Sequence, residues 1–248
     1  MSVPLLVTTE DRARHITFNR PEARNSLTLA MRRELIELLG EADRDDTIDV
    51  IVITGTDPAF CAGVDLKELR AREPGARPAT NPGVALRAVS KPLICAVNGA
   101  CVTGGLEIAV NCHFIVASER ATFADRHAQF GLVPGWGLSA LLPAAVGIRR
   151  AREMSISGGF VDAAEALRLG LVNHVVPHEE LMPFTRKLAA AIASGNARAN
   201  RAILGLYARS DGAPLAERLA NEAELVAGWQ VDPGALARHP SVRERKPS

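Results

Sequence analysis

The sequence predicts an α/β protein, because short apolar strands alternate with helical patterns along the first two-thirds of its 248 residues. Residues 50–53 (VIVI) form an unbroken apolar run, and residues 93–98 contain a second one. Unbroken runs of this length are typical of strands buried on both faces of a sheet that helices cover. From about residue 143 the pattern is mostly helical, so we expect an α/β core followed by a helical region.

The individual elements follow from the apolar pattern. Strands are predicted at residues 14–19, 49–54, 93–98, 113–118 and 121–124. Helices are predicted at residues 65–72, 104–111, 149–157, 162–169, 183–194, 197–207 and 214–229. A further helix is predicted after Thr28, its N-cap, because the apolar residues recur on one helical face at Met31, Leu35, Leu38, Leu39 and Ala42. No internal repeat of 20–50 residues is visible.

Two segments are predicted to be irregular. Residues 99–103 are expected to be a loop, and residues 73–82 contain three prolines, which are incompatible with regular structure. The second segment either covers a site or is an ordinary surface loop.

Composition excludes several classes of function. The formal net charge is +1 with both signs interspersed, so no nucleic-acid-binding face is expected. The apolar runs are too short to span a membrane, and the N-terminus does not resemble a secretion signal. No metal site is expected, since the cysteines lack ligand spacing and are interpreted as buried thiols in a reducing cytoplasm. They are Cys61, Cys95, Cys101 and Cys112.

Two segments share one pattern, a buried strand, a glycine-containing loop and a helix start. They are residues 50–66 (VIVITGTDPAFCAGVDL) and 93–107 (LICAVNGACVTGGLE). Glycine allows close approach of the backbone to a ligand, and the first turn of a helix has unpaired N–H groups. Two such N–H groups converging on one oxygen would form an oxyanion hole. The alternative is that these glycines only permit tight turns.

Glu107 is the most informative side chain, because it lies in the apolar run LEIAV at residues 106–110. An ionised carboxylate is costly to bury, so it should be paired, hydrogen-bonded or protonated. A carboxylate with a raised pKa in a cleft is suited to acid/base chemistry. The i, i+3 spacing places it on the same helical face as the Gly104 N–H. The alternative is a structural glutamate bonded to Asn98 or Asn111.

A third segment, residues 121–137 (ATFADRHAQFGLVPGWG), combines Asp125, Arg126 and His127 with a Gly/Pro turn. A lone histidine is more often structural than catalytic, so the segment by itself leaves the role of His127 open.

Together these segments resemble the crotonase (enoyl-CoA hydratase/isomerase) superfamily. The resemblance rests on residues 16–25 (ITFNRPEARN), 59–66 (AFCAGVDL), 96–99 (AVNG) with 104–107 (GGLE), and 130–137 (FGLVPGWG), in this order. It implies a crotonase-type ββα spiral core at residues 1–195 and a helical C-terminal trimerisation region at residues 196–248. It also implies a homotrimer or a dimer of trimers.

The resemblance implies an acyl-CoA thioester substrate and no separate cofactor. The thioester oxygen would lie between the N–H groups of Val64 and Gly104. Glu107 matches the first catalytic glutamate of such hydratases, whereas His127 stands where the second is expected. Val64 replaces a common alanine, and Thr103 occupies a position often held by glycine.

Coenzyme A would lie along the segment that contains Cys61, Ala62, Asp65, Leu66 and Lys67. Because 25 of the 29 Lys and Arg residues are arginines, an arginine is expected at the 3′-phosphate. The candidates are Arg24 and a neighbouring subunit's Arg243, Arg245 or Lys246. The resemblance also implies that Pro134, Gly135 and Trp136 bind the substrate.

These residues predict a cytoplasmic enoyl-CoA hydratase-like enzyme that adds water across the 2,3 double bond. The alternatives are a Δ3-Δ2 enoyl-CoA isomerase that uses Glu107 alone and a non-catalytic acyl-CoA-binding homologue. Dienoyl isomerisation and aryl dehalogenation are disfavoured, since the related enzymes carry an aspartate at the position of Gly135.

Overall fold

A computed structural model describes residues 3–71, 80–231 and 234. The chain divides into two compact units, residues 1–194 and 195–248. None of the helices in the described ranges is long and apolar enough to cross a membrane.

The described residues form ten strands, numbered in chain order. Strands β1 to β10 are Leu5–Glu10, Ala13–Phe18, Val50–Gly55, Ala59–Cys61, Leu93–Val97, Ala100–Val102, Phe114–Ser118, Thr122–Ala124, Val161–Asp162 and His174–Val176.

The same ranges contain ten α-helices and three short 3-10 helices. Helices α1 to α10 are Leu29–Arg44, Leu66–Arg70, Pro82–Ala88, Gly104–Val110, Leu138–Val146, Ile148–Ser157, Ala163–Arg168, Leu181–Ala193, Ala197–Ser210 and Leu215–Gly228. The 3-10 helices are Pro21–Ala23, Ala128–Phe130 and His178–Glu180.

The strands form two sheets. The first has the order β1-β2-β3-β5-β7-β10, and the second has the order β4-β6-β8-β9. Neighbouring strands are parallel except in the pairs β1–β2 and β8–β9. Three times in succession the chain adds a strand to the first sheet and then one to the second: β3 and β4, β5 and β6, β7 and β8. Helices α2 and α4 follow the first two of these pairs.

This repeat of topology agrees with the ββα spiral that the family resemblance implies, although no repeat of residues is visible in the sequence. The three strand pairs begin at Val50, Leu93 and Phe114, at unequal intervals along the chain. Because the repeat recurs in strand order rather than in residues or spacing, a search for similar residues at a fixed period does not detect it.

The burial of β3 follows the sequence prediction. Val50 and Val52 belong to an apolar cluster that includes residues of α8, whereas Ile51 and Ile53 belong to the larger cluster that includes residues of α1. Both faces of the strand are therefore covered, as an unbroken apolar run requires.

Helix α1 also follows its prediction. The Thr28 hydroxyl accepts a hydrogen bond from the Met31 N–H at 3.2 Å, so Thr28 is the N-cap. Of the five residues predicted to share one face, four are buried and Leu38 is partly buried against the core.

Three expectations for local structure need correction. Residues 99–103 are not wholly a loop, since Ala100–Val102 forms β6 against β4 and β8. Residues 72–79 lie outside the described residues, but Pro82 begins α3, where proline is tolerated because the first helical N–H has no partner. Helix α5 begins at Leu138 and contains Pro143 in its interior, so the helical region starts earlier than the position of this proline suggests.

The cysteines largely follow the prediction. Cys61, Cys95 and Cys101 are buried, whereas Cys112 is only half-buried. Burial raises the pKa of Cys61 to about 12, so this thiol is protonated at neutral pH.

The start of α4 packs against β4 through a residue without a side chain. A Cβ at Gly105 would lie 2.3 Å from the Cys61 carbonyl oxygen and 3.0 Å from the Cys61 Cβ. Real Cβ atoms do not approach a backbone oxygen this closely, so either the helix or the strand would have to move.

We therefore expect Gly105→Ala to lower the free energy of unfolding by about 1–3 kcal/mol, as overpacking typically does. Gly205→Ala is the matched control, because a Cβ at that helical glycine would have no atom within 4 Å. The control should be neutral or stabilising by up to about 1 kcal/mol. Urea denaturation of both variants measures the difference, and equal stability of Gly105→Ala and the parent would contradict the packing argument.

Candidate active site

Two candidate N–H donors lie at the ends of neighbouring strands. Strands β4 and β6 are parallel neighbours in the second sheet, and Val64 and Gly104 follow them in the chain. A Cβ at Gly104 would lie 3.3 Å from the Gly63 Cα, and one at Gly63 would lie 3.2 Å from the Gly104 nitrogen. The two segments can approach this closely because both residues are glycines.

Pairing with Leu27 sets the direction of the Val64 N–H. The Leu27 N–H donates to the Gly63 carbonyl at 2.7 Å, and the Asp65 N–H donates to the Leu27 carbonyl at 3.0 Å. In this parallel arrangement the N–H of the intervening Val64 points away from Leu27. Gly104 is the first residue of α4, so its N–H has no acceptor within the helix.

Thr103, which precedes Gly104, has a backbone conformation that glycine favours. Its φ of 54° and ψ of −109° are unusual for a β-branched residue. The Thr103 N–H donates to the Ala124 carbonyl at 2.9 Å, and its hydroxyl accepts from the Arg126 N–H at 3.2 Å. These bonds to the last residue of β8 and to the segment after it hold the turn that directs the Gly104 N–H.

Glu107 is 2% exposed and lies one turn after Gly104. Its Oε1 accepts hydrogen bonds from the N–H groups of Gly135 at 3.1 Å and Trp136 at 2.6 Å. Asn111 donates to the backbone carbonyl of Glu107, not to its carboxylate. The sequence suggests that an asparagine side-chain amide binds this carboxylate. The groups that bind it are instead the backbone N–H groups of Gly135 and Trp136, far away in the chain.

The second carboxylate oxygen of Glu107 faces His127. The Glu107 Oε2 and His127 Nε2 atoms are 3.5 Å apart. On the other side of the imidazole, His127 Nδ1 lies 2.6 Å from Asp125 Oδ1, which also accepts from the His127 backbone N–H at 3.1 Å. Asp125 is 1% exposed. The structure thus forms a row of Glu107, His127 and Asp125, the last of which is not among the site residues predicted from the sequence.

Electrostatics in this row favour a charged imidazole. Burial by itself would lower the pKa of His127, but the hydrogen bonds and negative charges of Asp125 and Glu107 outweigh it and raise the pKa to about 9. Burial would likewise raise the pKa of Asp125, yet its bonds to His127 hold it below the usual value. At neutral pH His127 is an imidazolium between two carboxylates.

Residues 134–136, which the resemblance predicts to bind the substrate, lie beside Glu107 and beside Gly104. The Gly135 and Trp136 N–H groups bind Glu107, and Pro134 is half-buried. The indole of Trp136 packs on Gly104, since a Cβ there would lie 3.0 Å from the ring atom Cζ3. Trp136 therefore bounds the space in front of the Gly104 N–H.

The predicted coenzyme A segment has mixed surroundings. The side chains of Leu66 and Lys67 are exposed and Ala62 is half-buried, whereas the Cys61 side chain is fully buried. Exposed Arg24 is brought to this segment, because its carbonyl accepts from the Ala62 N–H at 3.0 Å.

The burial and position of Asp65 are explained by its hydrogen bonds within the protein. It caps α2 by accepting from the Lys67 N–H at 2.9 Å, and it pairs with Arg20 at 2.9 Å. Burial would raise the pKa of Asp65, but the Arg20 bond and the capping bonds keep it lowered. A direct contact of this side chain with a ligand is not needed to explain it.

A cavity of about 220 Å³ adjoins Val64. It is lined by Leu29, Arg32, Val64, Glu68, Leu69 and Ala71. Arg32, on α1, is buried beside this cavity and is not among the site residues predicted from the sequence. The sequence does not distinguish it from the adjacent Arg33, which is exposed. A larger cavity of about 310 Å³, lined by residues from β1, β2 and α8 among others, contains none of the predicted site residues.

Among the residues that the structure describes, no group of three or more His, Cys, Asp or Glu side chains is arranged to hold a metal ion. Arg243, Arg245 and Lys246, predicted as phosphate ligands, lie outside the described residues.

Comparisons with known proteins identify the family that this chain resembles in sequence and fold. A family model described as enoyl-CoA hydratase/isomerase matches residues 9–230. A probable peroxisomal enoyl-CoA hydratase of Arabidopsis thaliana is 41% identical over 179 residues, covering 71% of this chain and 68% of the relative. A mevalonyl-coenzyme A hydratase of Aspergillus fumigatus is 38% identical over 245 residues, covering 94% of this chain and 89% of the relative.

A solved structure shows the same fold. The crystal structure of an enoyl-CoA hydratase from Mycobacterium tuberculosis is 46% identical, with a TM-score of 0.77. The match covers 91% of this chain and 97% of the other. The predicted α/β fold of the crotonase type is confirmed by this similarity.

The charged state of His127 predicts a pH dependence of stability. A pKa raised in the folded state contributes stability fully at pH values below the unfolded pKa, about 6.5. This contribution is lost as the pH rises toward and through about 9. The free energy of unfolding, measured in urea between pH 6 and pH 9.5, should therefore fall more steeply for the parent than for His127→Gln. Parallel curves would show that folding does not raise the pKa of His127.

Proposed function

The chain belongs to the enoyl-CoA hydratase/isomerase family, and from that premise we propose that it hydrates the 2,3 double bond of an enoyl-CoA thioester. The observation that carries this proposal is the pairing of Glu107 with an imidazole 3.5 Å away, beside the first turn of α4. Hydration needs one group to accept a proton and another to donate one, and this pair supplies both.

In the proposed reaction the Glu107 carboxylate takes a proton from water while the water oxygen bonds to C3. The electron pair of the double bond moves into the thioester, and the resulting enolate oxygen accepts hydrogen bonds from the Val64 and Gly104 N–H groups. Loss of one such donor typically costs about 3–4 kcal/mol of barrier. The His127 imidazolium then gives a proton to C2, which completes the 3-hydroxyacyl thioester.

Isomerisation is the second candidate, because a single acid/base can move a proton from C2 to C4. It would require Glu107 alone, and the close approach of His127 to Glu107 favours hydration over it. A non-catalytic acyl-CoA-binding protein would keep the donors but would have no need for the buried row of ionisable groups.

Coenzyme A is proposed to lie along residues 61–67, with Arg24 at the phosphates. Exposed Lys67 and Leu66 and the adjoining Arg24 support this placement. The thioester would be the substrate, with no separate cofactor. The cavity beside Val64 is proposed to receive part of the acyl group, since it adjoins one of the two oxyanion donors. A cytoplasmic location is proposed from the free thiols.

Residues 1–195 are proposed as the acyl-CoA-binding core and residues 196–248 as an oligomerisation region. In α9 and α10 no residue is buried within the described chain. Large apolar side chains are exposed there, namely Ile203, Tyr207, Leu215, Leu219 and Val226. Leu188 and Ile192, whose apolar character would suit the same interface, instead pack against the core.

The first prediction of this proposal concerns Glu107. Glu107→Gln keeps the acceptor for the Gly135 and Trp136 N–H groups but cannot take a proton, so turnover of crotonyl-CoA should fall by roughly 10²–10⁴-fold or more. Acyl-CoA affinity should change little, because binding rests on backbone groups. Exposed Glu153→Gln is the matched control and should keep parental turnover.

His127→Gln then separates the candidate reactions. A hydratase should lose a comparable factor, and the double variant should lose little more, since both residues serve one step. An isomerase should keep most of its rate on a 3-enoyl-CoA. Parental turnover of every enoyl-CoA by Glu107→Gln would contradict the mechanism, and a parent that binds but turns over none would support the non-catalytic alternative.

A second prediction concerns assembly. If the apolar side chains of α9 and α10 contact other copies, light scattering at micromolar concentration should give the mass of a trimer or a hexamer. Leu219→Asp should shift the mass toward the monomer without loss of helical circular dichroism, because a charge cannot be buried unpaired at low cost. A parental monomer would contradict the assembly proposal.

A further inference from the structure

Asp125 holds the imidazole of the proposed acid from the side opposite Glu107. It follows β8, which lies between β6 and β9 in the second sheet, and it is 1% exposed. One of its oxygens, Oδ1, contacts both the Nδ1 and the backbone N–H of His127, at 2.6 and 3.1 Å. The two contacts restrain the ring and the backbone of His127 together.

We propose that Asp125 is a positioning residue for the hydration: it binds the Nδ1–H of His127 and thereby makes Nε2 the nitrogen that exchanges protons beside Glu107. The inference rests on the proposed function, because it assigns a role within that reaction. Asp125 lies on the far side of His127 from Glu107, so it acts through His127.

The assignment of the two ring nitrogens follows from their partners. Both ring nitrogens face carboxylates, which can only accept, but Nδ1 lies 2.6 Å from Asp125 Oδ1 whereas Nε2 lies 3.5 Å from Glu107 Oε2. The shorter contact is the stronger hydrogen bond, so the single proton of the neutral ring stays on Nδ1. Nε2 is then the only ring atom that gains and loses a proton during turnover. It is also the atom that faces Glu107.

This arrangement returns the protons at the end of the cycle. After hydration Glu107 holds the proton taken from water, and His127 has given its Nε2 proton to C2. Transfer of the Glu107 proton to Nε2 restores the carboxylate and the imidazolium, so that only water has been consumed. The 3.5 Å separation is longer than a strong hydrogen bond, and such distances commonly shorten in the substrate complex.

The groups that control the titration of His127 are few in the described structure. The charged side chains that face its ring are Glu107 from α4 and Asp125 from the end of β8. Arg126, between Asp125 and His127 in sequence, directs its guanidinium to the Gly158 carbonyl at 3.3 Å and over the Phe160 ring. Removal of the Asp125 charge should therefore act directly on the imidazole.

The decisive experiment follows the ring nitrogens of His127 by NMR titration, with His127→Gln to assign the signals. In the parent, the ring should titrate near pH 9 and carry its proton on Nδ1 once neutral. In Asp125→Asn the midpoint should fall by about 1–3 pH units, the range typical of a lost neighbouring charge. The alkaline limb of kcat on crotonyl-CoA should fall with it, while KM changes little.

Two variants serve as controls. Asp49→Asn removes another buried carboxylate, one that pairs with Arg12, and should leave the His127 titration and the alkaline limb unchanged. Asp125→Glu keeps the charge and should recover part of the alkaline limb. If Asp125→Asn does not fold, the tautomer of the parent at high pH still tests the proposal.

An unchanged His127 titration, an unchanged alkaline limb, or a neutral parent ring protonated on Nε2 would each overturn the positioning role. Failure of the proposed function gives a different result. A parent that hydrates no enoyl-CoA removes the reaction in which Asp125 would act, whereas the NMR midpoint continues to report the Asp125–His127 pair.

Discussion

The geometry of the candidate site depends on one packing contact, between the start of α4 and the end of β4. Gly105 lies directly against the Cys61 carbonyl, and Gly104 lies against Gly63. This contact brings the free first turn of α4 next to the segment that carries Val64. Because α4 continues from that turn as a regular helix, its position also fixes where Glu107 lies.

A second constraint is electrostatic. Neighbouring buried carboxylates repel each other unless a cation lies between them. The protein places the imidazole of His127 between Glu107 and Asp125, which are both buried. The bonds of Asp125 to His127 hold the pKa of this carboxyl below its usual value, although burial would raise it.

Trp136 and the cavity beside Val64 border the candidate site. Trp136 packs its indole on Gly104, while its carbonyl accepts from Arg87 at 2.9 Å and from Asn111 at 3.0 Å. The ring is thus anchored by its own backbone. The cavity beside Val64 combines apolar side chains with Arg32 and Glu68, so its lining is not purely hydrocarbon.

The sequence by itself determined the features that depend on neighbours close in the chain. The face of α1, its Thr28 cap and the two buried faces of β3 follow from periodicity and local hydrogen bonding. Ordered motifs identified the family and selected Glu107 and His127. Only the tertiary structure decided which groups meet. The carboxylate of Glu107 is bound by N–H groups 28 and 29 residues away, and β6 exists because β4 and β8 flank it. The position of Asp125 two residues before His127 was visible in the sequence, but whether the side chains meet depends on the backbone turn after β8, which long-range contacts set.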